Sequence, residues 1–499
     1  MMMVFWPGTK RREKWSLGAV LLLGAYVVVA PSISLVPALE SYNERRATQI
    51  GVLLLMGGSM LASPTLRKPW LSTFLELPSI ARWGLGAVVG LGTVSAALAP
   101  APFFAFLELS HFVLLFVAAG AVASAVRQSQ KRTERILLGG VLVSALLYAV
   151  YFFVSYGVFA ALPVLEIGRD TVSGFANVRF FNQYQTWTLP LLLGAVLVFP
   201  RRWTAPRGAV FGLAALWWTL IFASNVRGTV AAVGVAGLGA WLLFGRGAYR
   251  WLGIQVAAVA VGGGLYYVLF HLAGGAIPEI AERFSQVGQS RRLQHWRKCL
   301  DMAWAHPWFG GGPMHYAWPP FDFAKAAHPH NAIMQWLAEW GIPSTGIMSG
   351  LTVWGGWTWF QQEQNDAKTA SERANGLRVA LVGAILAGTA HAMVSGLLVM
   401  PVSQMLLVLL VGWAWGRCRP ENGPTKEFSW SAHAVLAVLL VGSLGIVGTS
   451  FRGLLTTKER RVAFHEAADR KALSPRYWRQ GYLHVRDPNV VERARGRGE

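Results

Sequence analysis

The chain has 499 residues, of which 54% are hydrophobic and 14% charged, with 23 Trp and a formal net charge of +21. So apolar a composition excludes an ordinary soluble globule and places the chain in a membrane. The 45 Lys and Arg raise the question of nucleic acid, and their distribution along the chain answers it in favour of membrane topology.

A helix needs roughly 20 mostly apolar residues to cross about 30 Å of hydrocarbon. Thirteen such stretches begin near Trp15, Gln49, Ile80, Phe104, Ile136, Tyr184, Ala209, Thr229, Trp251, Ser344, Val379, Val402 and Ala434. The alternation of a closed β-barrel is missing. The expected fold is an all-α polytopic membrane protein with about 12–13 transmembrane helices. The first stretch follows Lys10, Arg11, Arg12 and Lys14 and runs on without a small-residue cleavage site, which reads as a retained helix.

Alternate breaks between the stretches hold 22 of the 45 Lys and Arg, whereas the intervening short breaks hold only Arg45, Arg46, Arg169, Arg179 and Arg227. The positive-inside rule puts the first set, and the N-terminus, in the cytoplasm. The other basic residues fall in two longer segments on the opposite side. The expected organisation is an N-terminal bundle over 1–271, a periplasmic loop over 272–342, C-terminal transmembrane helices over 343–450, and a basic periplasmic tail over 451–499. Cys299 and Cys418 then lie on opposite sides of the membrane, so they cannot pair, and no zinc-type cysteine cluster exists.

The helices before Ala160 read as packing and lipid-facing material, with Gly and Ala spaced for close contact. From Glu166 to Gln185 the chain turns polar just ahead of a span. In the long loop, Leu293, Trp296, Leu300 and Trp304 recur at helical spacing, predicting an amphipathic helix at the membrane surface. Gly310–Pro313 breaks it.

The stretch HPHNAIMQWLAEWG, from His328 to Gly341, concentrates polar groups in a greasy chain. His330 follows Pro329 and precedes a helical pattern, so it sits near a helix N-terminus, whose dipole disfavours imidazolium. A neutral imidazole there can act as a general base or can simply bond the loop. Glu339 lies nine residues further on, about 180° around the helix, so the two cannot pair within it, and Glu339 reads as structural. Arg227, in SNVRGT at a span's start, combines a guanidinium with a helix N-terminus and suits a diphosphate; the bland alternative is an interfacial snorkelling arginine. Arg291 and Arg292 begin the loop helix, and Arg179 offers another anion contact. Asn177, Asn182 and Gln185 suit sugar hydroxyls or local hydrogen bonds, and Asn331 stands beside His330 with the same two readings. The histidines His306, His315, His328 and His330 have no carboxylate pair nearby and make a weak metal signal.

Together, HPHNAIMQWLAEWG, SRRLQHWRKCLDMAWAHPWFGGGP, SNVRGT and HAMVSGLLVMPVSQ resemble the O-antigen ligase superfamily. That superfamily comprises lipopolysaccharide O-antigen ligases, Wzy-type polymerases and protein O-oligosaccharyltransferases. The resemblance covers about Gly174 to Gly416, and Ser395 stands where many relatives carry an acidic residue. It implies a GT-C-like glycosyltransferase in the bacterial inner membrane, with a large periplasmic loop over the site. The implied donor is an undecaprenyl-diphosphate-linked glycan; the acceptor is lipid A-core, a growing polymer or a protein. His330 corresponds to the family's loop histidine, Arg227 to its span-start arginine, and Arg291 or Arg292 to its loop arginine. The implied reaction is inverting, needs no metal or cofactor, and leads with ligation to lipid A-core over polymerisation or protein glycosylation. A lipid-linked glycan transporter is the rival class, and it would require charges buried mid-span, which are almost absent.

Overall fold

The computed structural model describes residues 11–36, 38–162, 167–168, 171–172, 174–273, 292–318, 326–419, 430–457, 476–479 and 483. Every regular element among them is helical. In chain order these are α1 (Arg11–Val29), α2 (Ser41–Ala62), α3 (Pro64–Leu75), α4 (Ser79–Leu98), α5 (Pro102–Gln128), α6 (Gln130–Ala161), α7 (Val178–Val198), α8 (Thr204–Ser224), α9 (Arg227–Phe244), α10 (Tyr249–Tyr266), α11 (Arg292–Ala305), α12 (Ala332–Ala367), α13 (Glu372–Ala392), α14 (Pro401–Arg417) and α15 (Trp430–Thr449). Each of the thirteen apolar stretches falls on one of them; α3 and α11 are additional.

Among the described residues, six helical segments are long and apolar enough to cross a membrane, and α2 with α3, bent by 97°, makes a seventh if counted as one broken span. Helices such as α2 and α7 fall short because their first turns carry buried polar side chains, among them Arg46, Gln49, Asn182 and Gln185. Those turns gather at one end of the bundle. Close packing elsewhere rests on small residues: a β-carbon on Gly412 of α14 would run into the α5 backbone at Ala119, and one on Gly194 of α7 into Ala380 of α13.

Charge divides between the two ends. α5 has 27 residues, about 40 Å at 1.5 Å per residue, so its ends lie far apart. Near its C-terminus Arg127 pairs with Glu76. On the same side Arg417 meets Glu134 and Glu363, Arg378 meets Glu363, and Arg201 and Arg250 both meet Glu372. These arginines come from the breaks expected in the cytoplasm, and they are spatial neighbours. Arg45, Arg46, Arg179, Arg227 and the long loop gather at the other end.

The described part of that loop is built around a glycine turn. α12 breaks at Gly341 (φ 78°, ψ 173°), separating a short helix, 332–340, from the long remainder. The backbone N–H groups of Gly311 and Gly312 donate to the carbonyls of Ala338 (2.8 Å) and Glu339 (3.1 Å), and that of Ile342 donates to Pro307 (2.8 Å). The turn thus satisfies the carbonyl end of the short helix. Gly310 (φ 69°) and Gly341 face each other so closely that a β-carbon on either would strike the opposing backbone.

Candidate functional site

The short helix 332–340 begins at the HPHN turn. Asn331 (φ −150°, ψ 121°) is its N-cap: its side-chain oxygen accepts from the backbone N–H of Met334 at 3.0 Å. The same amide donates through Nδ2 to the carbonyl of Met393 at 3.0 Å, tying the loop to the HAMVSG turn after α13. His330 precedes the cap with φ at +59°, a left-handed conformation in which a side chain is uncommon. The residues flanking His330 are fixed, Asn331 by its hydrogen bonds and His328 by burial.

Three imidazoles cluster here. The rings of His328 and His330 lie 4.3 Å apart, and those of His295 and His330 6.0 Å apart. Burial, first, and then the positive charges of Arg179, His295 and Arg292 push the His330 pKa down to about 3. It is therefore a neutral imidazole at neutral pH. The sequence argument gave the helix dipole as the reason; the larger cause is desolvation. His295 Nδ1 lies 2.6 Å from the hydroxyl of Tyr316.

Arginines surround this cluster. Asn225 ends α8 in the left-handed conformation (φ 49°), which turns the chain sharply so that Arg227 starts α9. Arg292 is the first residue of α11, and Arg227, Arg292 and Arg179 are all exposed. Partial burial and the nearby charge of Arg227 lower the Arg292 pKa, so two guanidinium groups from separate elements share one neighbourhood. An exposed concentration of positive charge at a helix N-terminus, beside a neutral base, suits a diphosphate bound next to a hydroxyl. Arg291 lies outside the described residues.

Below the arginines, α7 supplies a buried polar floor. Gln183 donates to Ser395 Oγ at 3.0 Å, so the serine of the HAMVSG turn is engaged by an amide. Thr186 Oγ1 and His391 Nδ1 are hydrogen-bonded at 2.7 Å. Asn182 is fully buried and donates to Gln185 Oε1 and to Ser224 Oγ, both at 2.8 Å, which places its amide between α7 and α8.

Glu339 turns away from His330 and is fully buried. Its carboxylate accepts from the backbone N–H of Tyr316 at 3.0 Å and from Gln335 Nε2 at 3.2 Å. Its principal partner comes from the tail: Arg476 Nη2 lies 2.7 Å from both Glu339 oxygens and within 2.8 Å of both oxygens of Glu108 on α5. Neither Glu108 nor Arg476 was an expected site residue. Glu108 and His111, near the start of α5, and Arg46 of α2 add buried polar groups to this end of the helices before Ala160, which the sequence reads as packing and lipid-facing material.

On α11 the buried face is His295, Cys299 and Ala303, whereas Leu293 (67% exposed), Leu300 and Trp304 (77%) point outward. Three of the four residues of the expected stripe thus face away from the protein, as in a helix resting on a bilayer surface, whereas Trp296 is half-buried.

Residues 210–349 match the model of a family described as O-Antigen ligase. The matched stretch contains Arg227, Arg292, His330, Asn331 and Glu339, and it leaves out Arg179, Asn182 and Arg476. No curated protein matches the chain.

Proposed function

We propose, from the O-antigen ligase domain that residues 210–349 carry, that this multi-pass membrane protein is an inverting glycosyltransferase. It moves a glycan from undecaprenyl diphosphate to an acceptor hydroxyl at the periplasmic face of the bacterial inner membrane, with lipid A-core as the acceptor. The observation that supports this reading is the meeting of Arg227 and Arg292, from separate elements, beside the neutral imidazole of His330.

In this reading the acceptor oxygen attacks the anomeric carbon while His330 takes its proton, and the bond to the diphosphate breaks on the opposite face. One displacement inverts the anomeric centre. Arg227 and Arg292 stabilise the charge that gathers on the leaving diphosphate, a preorganised electrostatic role that needs no metal. Binding also tunes the base. A bound diphosphate offsets the Arg179 and Arg292 charges that help depress the His330 pKa and so shifts it upward, while the larger contribution of burial remains.

The test is transfer in purified, chelator-treated enzyme supplied with a polyprenyl-diphosphate-linked oligosaccharide. His330→Ala and Arg227→Ala should each abolish measurable transfer; full activity in either sinks the assignment. A deletion strain separates the acceptors: loss of all capping on lipid A-core marks a ligase, single-repeat capping a polymerase, and an unmodified protein substrate an oligosaccharyltransferase.

A further inference from the structure

The tail segment Arg476–Arg479 returns into the same end of the bundle as the site, and its contacts are those of a built joint. Arg476, 2% exposed, sits between the buried carboxylates of Glu108 and Glu339. Its carbonyl accepts from Tyr42 Oη at 3.2 Å, and the next carbonyl, of Tyr477, accepts from Arg46 Nε at 3.0 Å. The backbone N–H of Arg479 donates to Asn43 at 2.8 Å, and Trp478 Nε1 donates to the carbonyl of Ser450 at 3.2 Å. Leu483 donates its backbone N–H to the carbonyl of Ala317 at 3.0 Å. Five separate parts of the chain, α2, Glu108, Ala317, Glu339 and Ser450, thus hold the described tail residues.

Two routes lead from this joint to His330. Glu339 stands on the short helix 332–340, whose N-cap is the residue after His330. Glu339 also fixes the backbone of Tyr316, whose hydroxyl holds His295, the histidine 6.0 Å from His330. A buried carboxylate without its cation is costly, so loss of Arg476 makes Glu108 and Glu339 take up protons or move apart, and it removes the tie that seats the short helix.

We infer that the tail segment Arg476–Arg479 is an intramolecular strut and that Arg476 is a positioning residue, acting through Glu339 to seat the loop helix that carries His330 near its N-terminus. The inference rests on the reading of His330 as the general base. It gives a function to this part of the basic tail, because the Arg476 charge meets buried carboxylates.

The experiment uses full-length enzyme in lipid nanodiscs, with a polyprenyl-diphosphate-linked oligosaccharide as donor and lipid A-core as acceptor. Arg476→Met should lower kcat on the order of 10²-fold with donor KM changed less than about threefold, because misplacing a base by about 1 Å acts on the chemical step. Arg476→Lys should recover part of that loss. Glu339→Gln keeps an acceptor for Tyr316 and should reproduce the kcat effect; the double variant should be no worse than the more impaired single one. Should Arg476→Met fail to fold, Glu339→Gln carries the test. Wild-type kcat in the folded variants, a change confined to donor KM, or an additive double variant overturns the strut. His330→Ala measured in parallel separates the two claims: an active His330→Ala overturns the site reading, whereas an inactive one beside a fully active Arg476→Met overturns the strut alone.

Discussion

The imidazole of His328 lies against the bare α-carbon of Gly396, so close that a β-carbon at 396 would overlap the ring. The contact joins the HPHN turn to the HAMVSGLLVMP segment, and the bond from Asn331 to Met393 makes a second joint between them. Gly396→Ala is therefore expected to displace His328 and, with it, His330. Transfer should fall on the order of 10²-fold, the usual cost of an ångström-scale error in a catalytic group, while the purified protein remains monodisperse. Unchanged kcat in Gly396→Ala would show that the contact is slack.

The left-handed backbone at His330 makes glycine the natural replacement. His330→Gly should keep the turn and lose transfer, and free imidazole added to the assay should restore a measurable part of it. Rescue by imidazole, saturable and absent in His330→Ala at the same concentration, is the discriminating result.

Acid should weaken the fold. Burial lowers the pKa of His330 to about 3 and of His315 to about 4, and it also lowers that of His328, from an ordinary value of 6.5. Below pH 6.5 the unfolded chain binds protons that the folded chain refuses, so stability rises with pH through the window from about 4 to 6.5 and falls as the medium is acidified. A thermal melt series over that window should show a declining midpoint. His315→Gln should flatten part of the decline; a midpoint independent of pH would refute the burial of these rings.

The same depression predicts a split in the pH profiles. In the free enzyme His330 stays neutral well below pH 6, so kcat/KM should show no acid limb near 6.5 arising from it. In the donor complex the diphosphate offsets Arg179 and Arg292, so the acid limb of kcat should lie at higher pH than that of kcat/KM.

Asn331 does two jobs with one amide, and they can be separated. Asn331→Asp keeps the acceptor for Met334 but loses the donor to Met393, whereas Asn331→Ala loses both. The alanine variant should be less stable than the aspartate by about 1 kcal/mol, the usual worth of an N-cap. Both should show reduced kcat if the Met393 bond positions the turn.

Helices were legible wherever 20 apolar residues ran together, because that signal is local. His330, Arg227 and Arg292 stood out because a polar group next to a helix start is visible in a short window. The joint around Arg476 was not, since its members are separated by hundreds of residues and each has a bland local explanation: Arg476 as one more basic tail residue, Arg46 as a loop charge. The usable signal was Glu108. A carboxylate in the apolar run PFFAFLELSHF demands a partner, and the conspicuous unassigned cations lay in the tail. Likewise, the sequence leaves Asn182 open between sugar hydroxyls and local hydrogen bonds, and only its position on the folded helix puts its amide in the α7–α8 contact.

The outward stripe of Leu293, Leu300 and Trp304 carries a consequence for how substrate is found. Helix α11, with Arg292 at its head, can rest on the lipid headgroups with its apolar side down. On the proposed function, a donor anchored by its polyprenyl tail would reach the arginines by lateral diffusion without leaving the bilayer. Encounter becomes a search in two dimensions, governed by how many donor molecules occupy the surrounding leaflet, so turnover in reconstituted membranes should follow the mole fraction of donor in lipid and not its bulk concentration.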